Sequence, residues 1–172
     1  NGQKFVLHLI PSGILHPGVT CVIGNGVVID PQALFAEVDR LAELGVDVGD
    51  RLVISDKAHL ILPYHRELDV LSEARRGERK IGTTSRGIGP AYEDKIARRG
   101  VRIGDLSNLD ALASAVQHNV AARNRIIPES TMDAGQVLDE LQAAWQRMAP
   151  WVRDVSWFLA RARAERRSIM FE

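Results

Sequence analysis

Residues 18–45, GVTCVIGNGVVIDPQALFAEVDRLAELG, pass from a strand pattern to a helix pattern. Valine and isoleucine dominate the first part, and Gly24-Asn25-Gly26 interrupts them, which predicts two short strands. That interruption is compatible with a hairpin turn or with a corner between a strand and a loop. Asp30 and Pro31 then form a helix start, with aspartate as N-cap and proline in the first turn. Apolar residues at helical spacing follow as far as Gly45, so the stretch predicts strands followed by a helix.

The flanking residues continue this alternation. Residues 4–10 and 51–55 are apolar runs of strand length, and residues 63–76 have the spacing of an amphipathic helix. Strands that alternate with helices indicate an α/β fold with a mostly parallel sheet. We therefore expect residues 1–62 to form a portion of a larger sheet of this kind.

Helix patterns dominate the middle and the C-terminal half. Apolar residues recur there every three or four positions, and Pro150 predicts a kink in the last long pattern. Residues 168–172 return to a strand pattern. The predicted fold class is α/β, with strands near both ends of the chain in a larger, mostly parallel sheet. The predicted division is a sheet portion over 1–62, a predominantly helical subdomain over 63–167 and a strand over 168–172 that rejoins the sheet.

Charge and cysteine content exclude several classes of protein. The 172 residues include 22 Lys plus Arg and 22 Asp plus Glu, so no net field draws the chain to nucleic acid or to an anionic membrane. No apolar run approaches the roughly 20 residues of a membrane-spanning helix. The single cysteine, Cys21, lies among apolar residues and predicts a buried thiol. The histidines have no metal-ligand spacing, so we expect no metal site in this chain. Because there is one cysteine and no run of membrane-spanning length, we expect a cytoplasmic protein.

Residues 81–100, IGTTSRGIGPAYEDKIARRG, predict a phosphate-binding loop followed by a helix. Glycines, threonines and a proline crowd the first half, which neither a regular helix nor a central strand tolerates. Backbone N–H groups, threonine hydroxyls and an arginine fork are donors for a phosphate. A helix expected over residues 91–98 would add its N-terminal dipole, and Lys95, Arg98 and Arg102 would form a cationic edge at near-helical intervals. Composition alone leaves a second interpretation open, a glycine-rich surface loop before a solvated, charged helix.

The order of residues in this segment resembles a family signature. GIGPAYEDKIAR at 87–98 matches the G-I-G-P-x-Y-x-x-K-x-x-R signature of the adenylosuccinate synthetases. Four further stretches are similar to the same family and occur in its order: HLIPSGI at 8–14, IGNGVV at 23–28, IGTT at 81–84 and SIMFE at 168–172. The resemblance covers essentially the whole chain and is weakest between residues 108 and 167. Ser85 departs from the pattern, which has glycine there in bacterial members, and a serine restricts positive φ.

The resemblance implies roles for individual residues. Thr84 matches the threonine that binds the phosphate region of IMP in its own subunit. Arg98 matches the arginine that reaches the IMP of the partner subunit, which implies a homodimer. Thr83, Lys95 and Arg102 are expected to support IMP binding, and no catalytic residue is expected within this chain.

The resemblance also implies a reaction and its cofactors. The family joins IMP to L-aspartate with GTP and Mg²⁺ in the synthesis of AMP. An aspartate of the enzyme removes a proton from IMP while the six-position oxygen of IMP attacks the γ-phosphoryl group of GTP. The amine of the substrate L-aspartate then displaces the phosphate. The family's GDEGKGK and GHT loops and its GAQG stretch do not occur in this sequence. We therefore expect an internal part of a longer enzyme, without activity of its own and with the GTP and Mg²⁺ contacts mostly elsewhere.

The residues leave two other functions open. The chain could be a non-catalytic module that binds a nucleotide or dimerises. It could also be a helical structural cap without a ligand. Self-association of the chain, and its response to IMP, distinguishes the first of these from the second.

Overall fold

The computed structural model describes residues 5–79, 82–127 and 132–172. The helices are α1 (Pro31–Glu43), α2 (Pro63–Arg75), α3 (Ile88–Ile96), α4 (Leu109–Ile126), α5 (Ala134–Met148) and α6 (Val155–Ala164). The strands are β1 (Cys21–Ile23), β2 (Val28–Ile29), β3 (Leu52–Ser55), β4 (His59–Leu60) and β5 (Val152–Arg153). Residues 1–4 and Ile81, with which the predicted sheet portion and the predicted phosphate loop begin, lie outside the described residues. The predicted α/β class is confirmed.

The strand pairs found in the described ranges are parallel. β1, β3 and β5 form one sheet in the order β1-β3-β5, and β2 pairs with β4 in a second sheet. Cys21 lies opposite Leu52, and Ile54 lies opposite Val152. Because β1 and β2 belong to different sheets, Gly24-Asn25-Gly26 is a corner and not a hairpin turn.

α1 begins and ends where the sequence predicts. The Asp30 carboxylate accepts hydrogen bonds from the N–H groups of Gln32 and Ala33 at 3.1 and 3.4 Å, and Pro31 occupies the first turn. Gly45 follows the helix with a φ of +78°. These signals are local in the chain, which is why the pattern of residues 30–45 predicts the helix correctly.

One buried cluster joins the sheets to the helices. It contains side chains from β1 and β3, from α1 and α2, and from α4 and α5. Its largest fully buried members are Tyr64, Ile14, Ile29, Leu34, Leu41, Leu52, Ile54, Leu60, Leu62, Ile103, Leu106 and Met148. Because the cluster draws side chains from both sides of residue 62, the division of the chain at that point stays a prediction.

Residues 5–10 do not form the predicted first strand. The N–H groups of His8, Leu9 and Ile10 all point to the Glu37 carboxylate on α1, with N···O distances of 2.9–3.4 Å. Successive N–H groups that converge on one anion form a concave nest, whereas those of a strand point alternately to opposite sides. The carboxylate on α1 therefore takes the place that a neighbouring strand would occupy.

Residues 168–172 do not form the predicted returning strand either. Met170 and Phe171 are 77% and 84% exposed, and the Ser12 hydroxyl donates a hydrogen bond of 2.6 Å to the Glu172 carboxylate. A strand exists only by pairing with neighbouring backbone, and the described ranges provide no such partner for this segment. The described strands therefore lie between Cys21 and Arg153.

The chain around Pro150 is broken and not merely kinked. α5 ends at Met148, a 3₁₀ turn over Ala149–Trp151 follows, and β5 then adds an edge strand beside β3. Proline removes the N–H that would continue the helix. Asp154 starts α6 by accepting a hydrogen bond from a backbone N–H of its first turn. A strand thus lies inside the range that was expected to be helical.

Two expectations from composition concern Cys21 and membrane helices. Cys21 is buried, with its Sγ 3.5 Å from the carbonyl oxygen of Pro11, and burial raises the pKa of the thiol. The predicted buried thiol is confirmed.

In the described ranges, no helix combines the length and the apolar composition needed to cross a membrane.

Candidate functional site

The segment between α2 and α3 is a shaped loop, as predicted. Gly77, Gly82, Ser85 and Gly87 have φ angles of +54°, +76°, +53° and +77°, so the backbone enters the left-handed region at four of the described positions. The side chains of Thr83 and Thr84 are exposed, and no hydrogen bond of the described residues engages their hydroxyls. Both hydroxyls are therefore available to a ligand.

Two carboxylates on α2 hold this loop at its ends. The Gly82 N–H donates to Glu73 Oε2 at 3.0 Å, and the Gly87 N–H donates to Asp69 Oδ2 at 2.9 Å. A Cβ on Gly87 would lie 2.7 Å from the carbonyl carbon of His65, closer than such contacts occur. Glycine is thus required here by its φ and by the approach of α2. These two N–H groups bind protein carboxylates, so a phosphate would have to be held by the donors between them.

α3 begins and ends earlier than predicted. It covers Ile88–Ile96, so Gly89 and Pro90 lie in its first turn, where a missing N–H breaks no helical hydrogen bond. Arg98 lies past the end of the helix with a φ of +59°. The helix predicted over residues 91–98 is therefore wrong in its bounds.

The predicted cations do not share one helix face. Lys95 lies on α3, where its Nζ donates to the carbonyl oxygen of Asn25, and its pKa is lowered by burial and by Arg102. Arg102 lies in extended chain after the helix, where its backbone forms an isolated bridge with His59. The chain reversal at Arg98, and not helical spacing, brings Lys95 near Arg102.

Thr84 and Arg98 lie beyond opposite ends of α3. The helix has nine residues, which corresponds to a length of about 13 Å at about 1.5 Å per residue. The Arg98 side chain is exposed, and no ion pair or hydrogen bond of the described residues holds its guanidinium. The chain thus presents two separate groups of donors, one at each end of α3.

A buried carboxylate, Asp94, lies behind the Arg98 turn. It accepts hydrogen bonds from His65 Nε2 at 3.1 Å, from Arg99 Nε at 2.7 Å and from Arg123 Nη2. Asp94 and His65 are both fully buried. The N–H of Leu62 donates to His65 Nδ1 at 2.9 Å, so the imidazole proton lies on Nε2 and is donated to Asp94.

Burial and hydrogen bonding oppose each other at this carboxylate. Burial alone would raise the pKa of Asp94, but the hydrogen bonds from His65, Arg99 and Arg123 outweigh it and hold the pKa well below its ordinary value of 3.8. Burial lowers the pKa of His65, although the hydrogen bond to Asp94 acts in the opposite direction. The pair is therefore a carboxylate and a neutral imidazole near neutral pH.

The sequence patterns do not identify Asp94, His65 or Asp69 as site residues. Asp94 occupies an unspecified position of the signature, and His65 belongs to no metal-ligand spacing. One feature could have indicated that Asp94 is buried. Asp94 lies three residues after Ala91, which places both on the same face of α3, and that face is buried. A carboxylate on the buried side of a helix needs hydrogen-bond donors nearby.

A large cleft adjoins the loop. Its volume is about 1110 Å³, and its lining includes Ser85 and Arg86 of the loop together with Asp30 and Arg66, which form an ion pair. Further lining residues come from α1, from residues 5–9, and from Ile88 and Tyr92 on α3. None of the predicted site residues, Thr83, Thr84, Lys95, Arg98 and Arg102, belongs to this lining. The cleft is slightly larger than typical ligand pockets, so its volume is sufficient for a nucleotide.

The described residues offer no metal site. No group of three or more His, Cys, Asp or Glu side chains is arranged to hold an ion within 5–79, 82–127 and 132–172. We assign no chemical step to a metal held by these residues.

The sequence matches a family model and named relatives along its length. The adenylosuccinate synthetase family model matches residues 1–172. The adenylosuccinate synthetase of Syntrophobacter fumaroxidans is 50% identical over 177 residues, which cover 100% of this chain and 41% of that protein. The adenylosuccinate synthetase of Paraburkholderia phytofirmans is 49% identical over 175 residues, which cover 99% of this chain and 39% of that protein.

A solved structure has the same fold. The fully ligated adenylosuccinate synthetase from Plasmodium falciparum superimposes with a TM-score of 0.85 and 29% sequence identity. The match covers 97% of this chain and 39% of that one. The chain thus spans about two fifths of the length of the relatives that it matches.

Proposed function

The chain belongs to the adenylosuccinate synthetase family, and we propose that it is a segment of an enzyme that joins IMP to L-aspartate with GTP as phosphoryl donor. The product of this reaction is adenylosuccinate, a precursor of AMP. The segment contributes contacts to IMP and to the partner subunit, whereas the catalytic aspartate and histidine belong to loops that do not occur in its sequence.

The observation that carries the proposal is the placement of Thr84 and Arg98 at opposite ends of α3. Both side chains are exposed and have no protein partner among the described residues. In our proposal Thr84 binds the IMP phosphate of its own subunit, while Arg98 binds the IMP of the partner subunit. A two-fold axis makes such an exchange reciprocal, because each subunit gives one arginine and receives one.

An apolar stripe on α3 supports the homodimer. Ile88, Tyr92 and Ile96 are spaced by four residues along one face and are 40%, 38% and 79% exposed. Large apolar side chains exposed side by side are typical of an interaction surface. The stripe leads to Arg98, so a second copy seated on it would lie within reach of that arginine.

Three further residues are proposed to support IMP binding. Thr83 is exposed beside Thr84, and its hydroxyl can donate to the same phosphate. Arg102 is exposed, while the Lys95 ammonium is already bound to the carbonyl oxygen of Asn25. We therefore expect Arg102 to contact the anion and Lys95 to act through the local positive potential.

GTP, Mg²⁺ and the compartment complete the proposal. In our proposal GTP and Mg²⁺ bind in the full enzyme, mostly through residues outside this chain, because the family's GDEGKGK loop does not occur in this sequence. The proposed location is the cytoplasm, with IMP, L-aspartate and GTP as small-molecule partners and neither nucleic acid nor a membrane.

Phosphate release from GTP tests the function. The full-length protein that contains this chain is assayed with IMP, L-aspartate, GTP and Mg²⁺, and with each substrate left out in turn. We expect release only when all three substrates are present, and none from residues 1–172 alone. Release that does not depend on IMP, or a folded and dimeric protein without release, would contradict the proposal.

The alternative function is a non-catalytic nucleotide-binding or dimerisation module. The exposed stripe on α3 and the large cleft favour it for the isolated chain. Analytical ultracentrifugation of residues 1–172, with and without IMP, tests it directly. Self-association that IMP strengthens, together with an inactive full-length protein, would place this function first.

A further inference from the structure

We propose that Asp94 is a positioning residue, which fixes the backbone of Arg98 so that its guanidinium points out of the subunit toward IMP. The inference rests on the proposed function of Arg98 as an IMP contact. Asp94 itself is buried and touches no substrate in this account.

Arg98 has an unusual backbone conformation. Its φ of +59° lies in the left-handed region, at the position after a helix where glycine is the common residue. Arginine is disfavoured there because its Cβ crowds the backbone. A disfavoured conformation persists only when its surroundings determine it, and such residues cluster at functional sites.

Asp94 forms several hydrogen bonds with the turn that contains Arg98. The carbonyl oxygen of Asp94 accepts hydrogen bonds from the N–H groups of Arg99 and Gly100, each at 3.0 Å. The carboxylate of the same residue binds Arg99 Nε, Arg123 and His65. Backbone and side chain of the residue that follows Arg98 are thus both tied to Asp94.

Asn119 and His59 contact the same turn from its other side. The Asn119 side-chain amide donates to the carbonyl oxygen of Arg99 at 2.8 Å. A Cβ on Gly100 would lie 2.8 Å from Cδ2 of the buried His59 ring. Residue 99 is therefore held from two sides and residue 100 packs closely on His59, while the side chain of Arg98 is exposed and unpaired in the described structure.

A second helix end in the same chain shows what the carboxylate adds. Arg166, after α6, has a φ of +57°, and the backbone bonds there repeat those at Arg98. The N–H of Arg167 donates to the carbonyl oxygen of Ala162 at 3.0 Å, just as the N–H of Arg99 donates to that of Asp94. An alanine suffices at this position to form the turn. Backbone bonds alone can therefore form such a turn. The Asp94 carboxylate adds bonds to Arg99, to Arg123 on α4 and to His65 on α2, which hold the turn at Arg98 against these two helices.

A coupling experiment separates positioning from a merely structural role. The full-length enzyme is prepared as Asp94→Asn, Arg98→Gly and the double variant, and KM for IMP and kcat are measured at saturating GTP and L-aspartate. We expect Arg98→Gly to raise KM for IMP by about tenfold or more, and Asp94→Asn by about fivefold with kcat changed less. In the double variant, the Asp94 change should add less than about twofold, because no side chain remains to be positioned.

Two further variants keep the test decisive. Val116→Ala removes buried core volume on α4, so it lowers the melting temperature without touching this network, and KM for IMP should stay at the wild-type value. If Asp94→Asn does not fold, Arg99→Gln takes its place. The Arg99 side chain is 49% exposed, so its loss is tolerated while one donor to Asp94 is removed. A rise in KM for IMP that disappears in the Arg98→Gly background supports the inference.

The outcomes that overturn the inference differ from those that overturn the proposed function. If Arg98→Gly raises KM for IMP while the Asp94 and Arg99 variants leave it unchanged, only the positioning role fails. If the Asp94 and Arg99 variants raise KM for IMP equally in the wild-type and in the Arg98→Gly background, the positioning role also fails. If Arg98→Gly itself leaves KM for IMP unchanged in an active enzyme, the proposed IMP contact fails and the positioning role fails with it.

Discussion

Two residues other than glycine adopt left-handed backbone on either side of α3, Ser85 before it and Arg98 after it. Each such residue costs about 1–2 kcal/mol relative to ordinary helical backbone. Both belong to the segment for which IMP binding is proposed. Strain at both ends of one short helix is expected where side chains serve a ligand instead of the fold.

Ser85→Gly should stabilise the protein slightly. Glycine removes the steric cost of a φ of +53° but adds about 0.5–1 kcal/mol of unfolded-chain entropy, so we expect a net gain of about 0.5 kcal/mol. The matched control is Ser72→Gly at an exposed position of α2, which should lose about 0.5 kcal/mol. Urea unfolding of both variants measures the difference. A loss of stability in Ser85→Gly as large as in the control would contradict the assigned strain.

Arg98→Gly should weaken IMP binding without unfolding the protein. Glycine accepts the backbone conformation, while the lost charged hydrogen bond is worth about 1.5–3 kcal/mol, or about a ten- to hundredfold loss of IMP affinity. Arg166→Gly is the control, because that residue has nearly the same φ, +57°, at the end of α6. Calorimetric titration of IMP into both full-length variants gives the comparison. Equal affinity of the two variants would contradict the role of Arg98.

Roles for single residues could be proposed from the sequence where the order of residues resembles a family. Thr84 and Arg98 stand at fixed places in such stretches, and their role as IMP contacts stays a prediction. Asp94 could not be identified in this way, since its partners His65 and Arg123 are each 29 residues away and only the folded chain brings them together. Burial of a charged group follows from tertiary contacts, which a linear pattern does not contain.

At the scale of elements, α2 positions both ends of α3. Asp69 on α2 holds the N–H of Gly87 before α3, and His65 on α2 holds Asp94 near its end. Four residues separate Asp69 from His65, so both project from one face of α2. The two proposed IMP contacts therefore depend on the same supporting helix.

Gly87→Ala should be among the most damaging changes in this chain. The φ of +77° disfavours alanine, and its Cβ would lie 2.7 Å from backbone atoms of α2, so we expect a loss of about 3 kcal/mol or more. Gly89→Ala is the control, because no atom lies within 4 Å of its added Cβ and α3 should gain about 0.5–1 kcal/mol. Thermal unfolding measures both. Similar stability of the two variants would show that α2 and α3 are not in the contact described.

Elements were predictable when their signals were local. α1 has its N-cap and its terminal glycine in the sequence itself, and both lie where expected. Strands depend on partners that are distant in the chain, and the patterns of residues 5–10 and 168–172 do not form strands in the described structure. β5 was not predicted because two residues after a proline carry no pattern, and pairing with β3 alone makes them a strand.

At the scale of the whole molecule, stability should fall as the pH drops below about 6.5. His65 has a pKa lowered by burial, so in that range the unfolded chain binds a proton that the folded protein does not. His59 acts in the same direction, through burial and the nearby Lys95 and Arg102. We expect the loss from His65 to grow as the pH falls from about 7 to about 5, at no more than about 1.4 kcal/mol per pH unit, the limit for one proton.

Urea unfolding across this pH range checks the prediction with two variants. His65→Gln keeps a donor toward Asp94 but cannot titrate, so the pH dependence should become shallower. His118→Gln at an exposed position of α4 should leave the wild-type slope in place. A slope that is equal in all three proteins would contradict the assignment of His65.

The central claim at this scale is that Thr84 and Arg98 of one chain serve two different IMP sites. The most direct measurement mixes two full-length variants, Thr84→Val and Arg98→Gly, under conditions that allow subunits to exchange. Each variant alone should be nearly inactive at low IMP. Hybrid dimers should contain one intact site, so the mixture should recover about a quarter of wild-type activity for random pairing. If hybrid dimers form and no activity returns, both residues act on the same site and the account is contradicted.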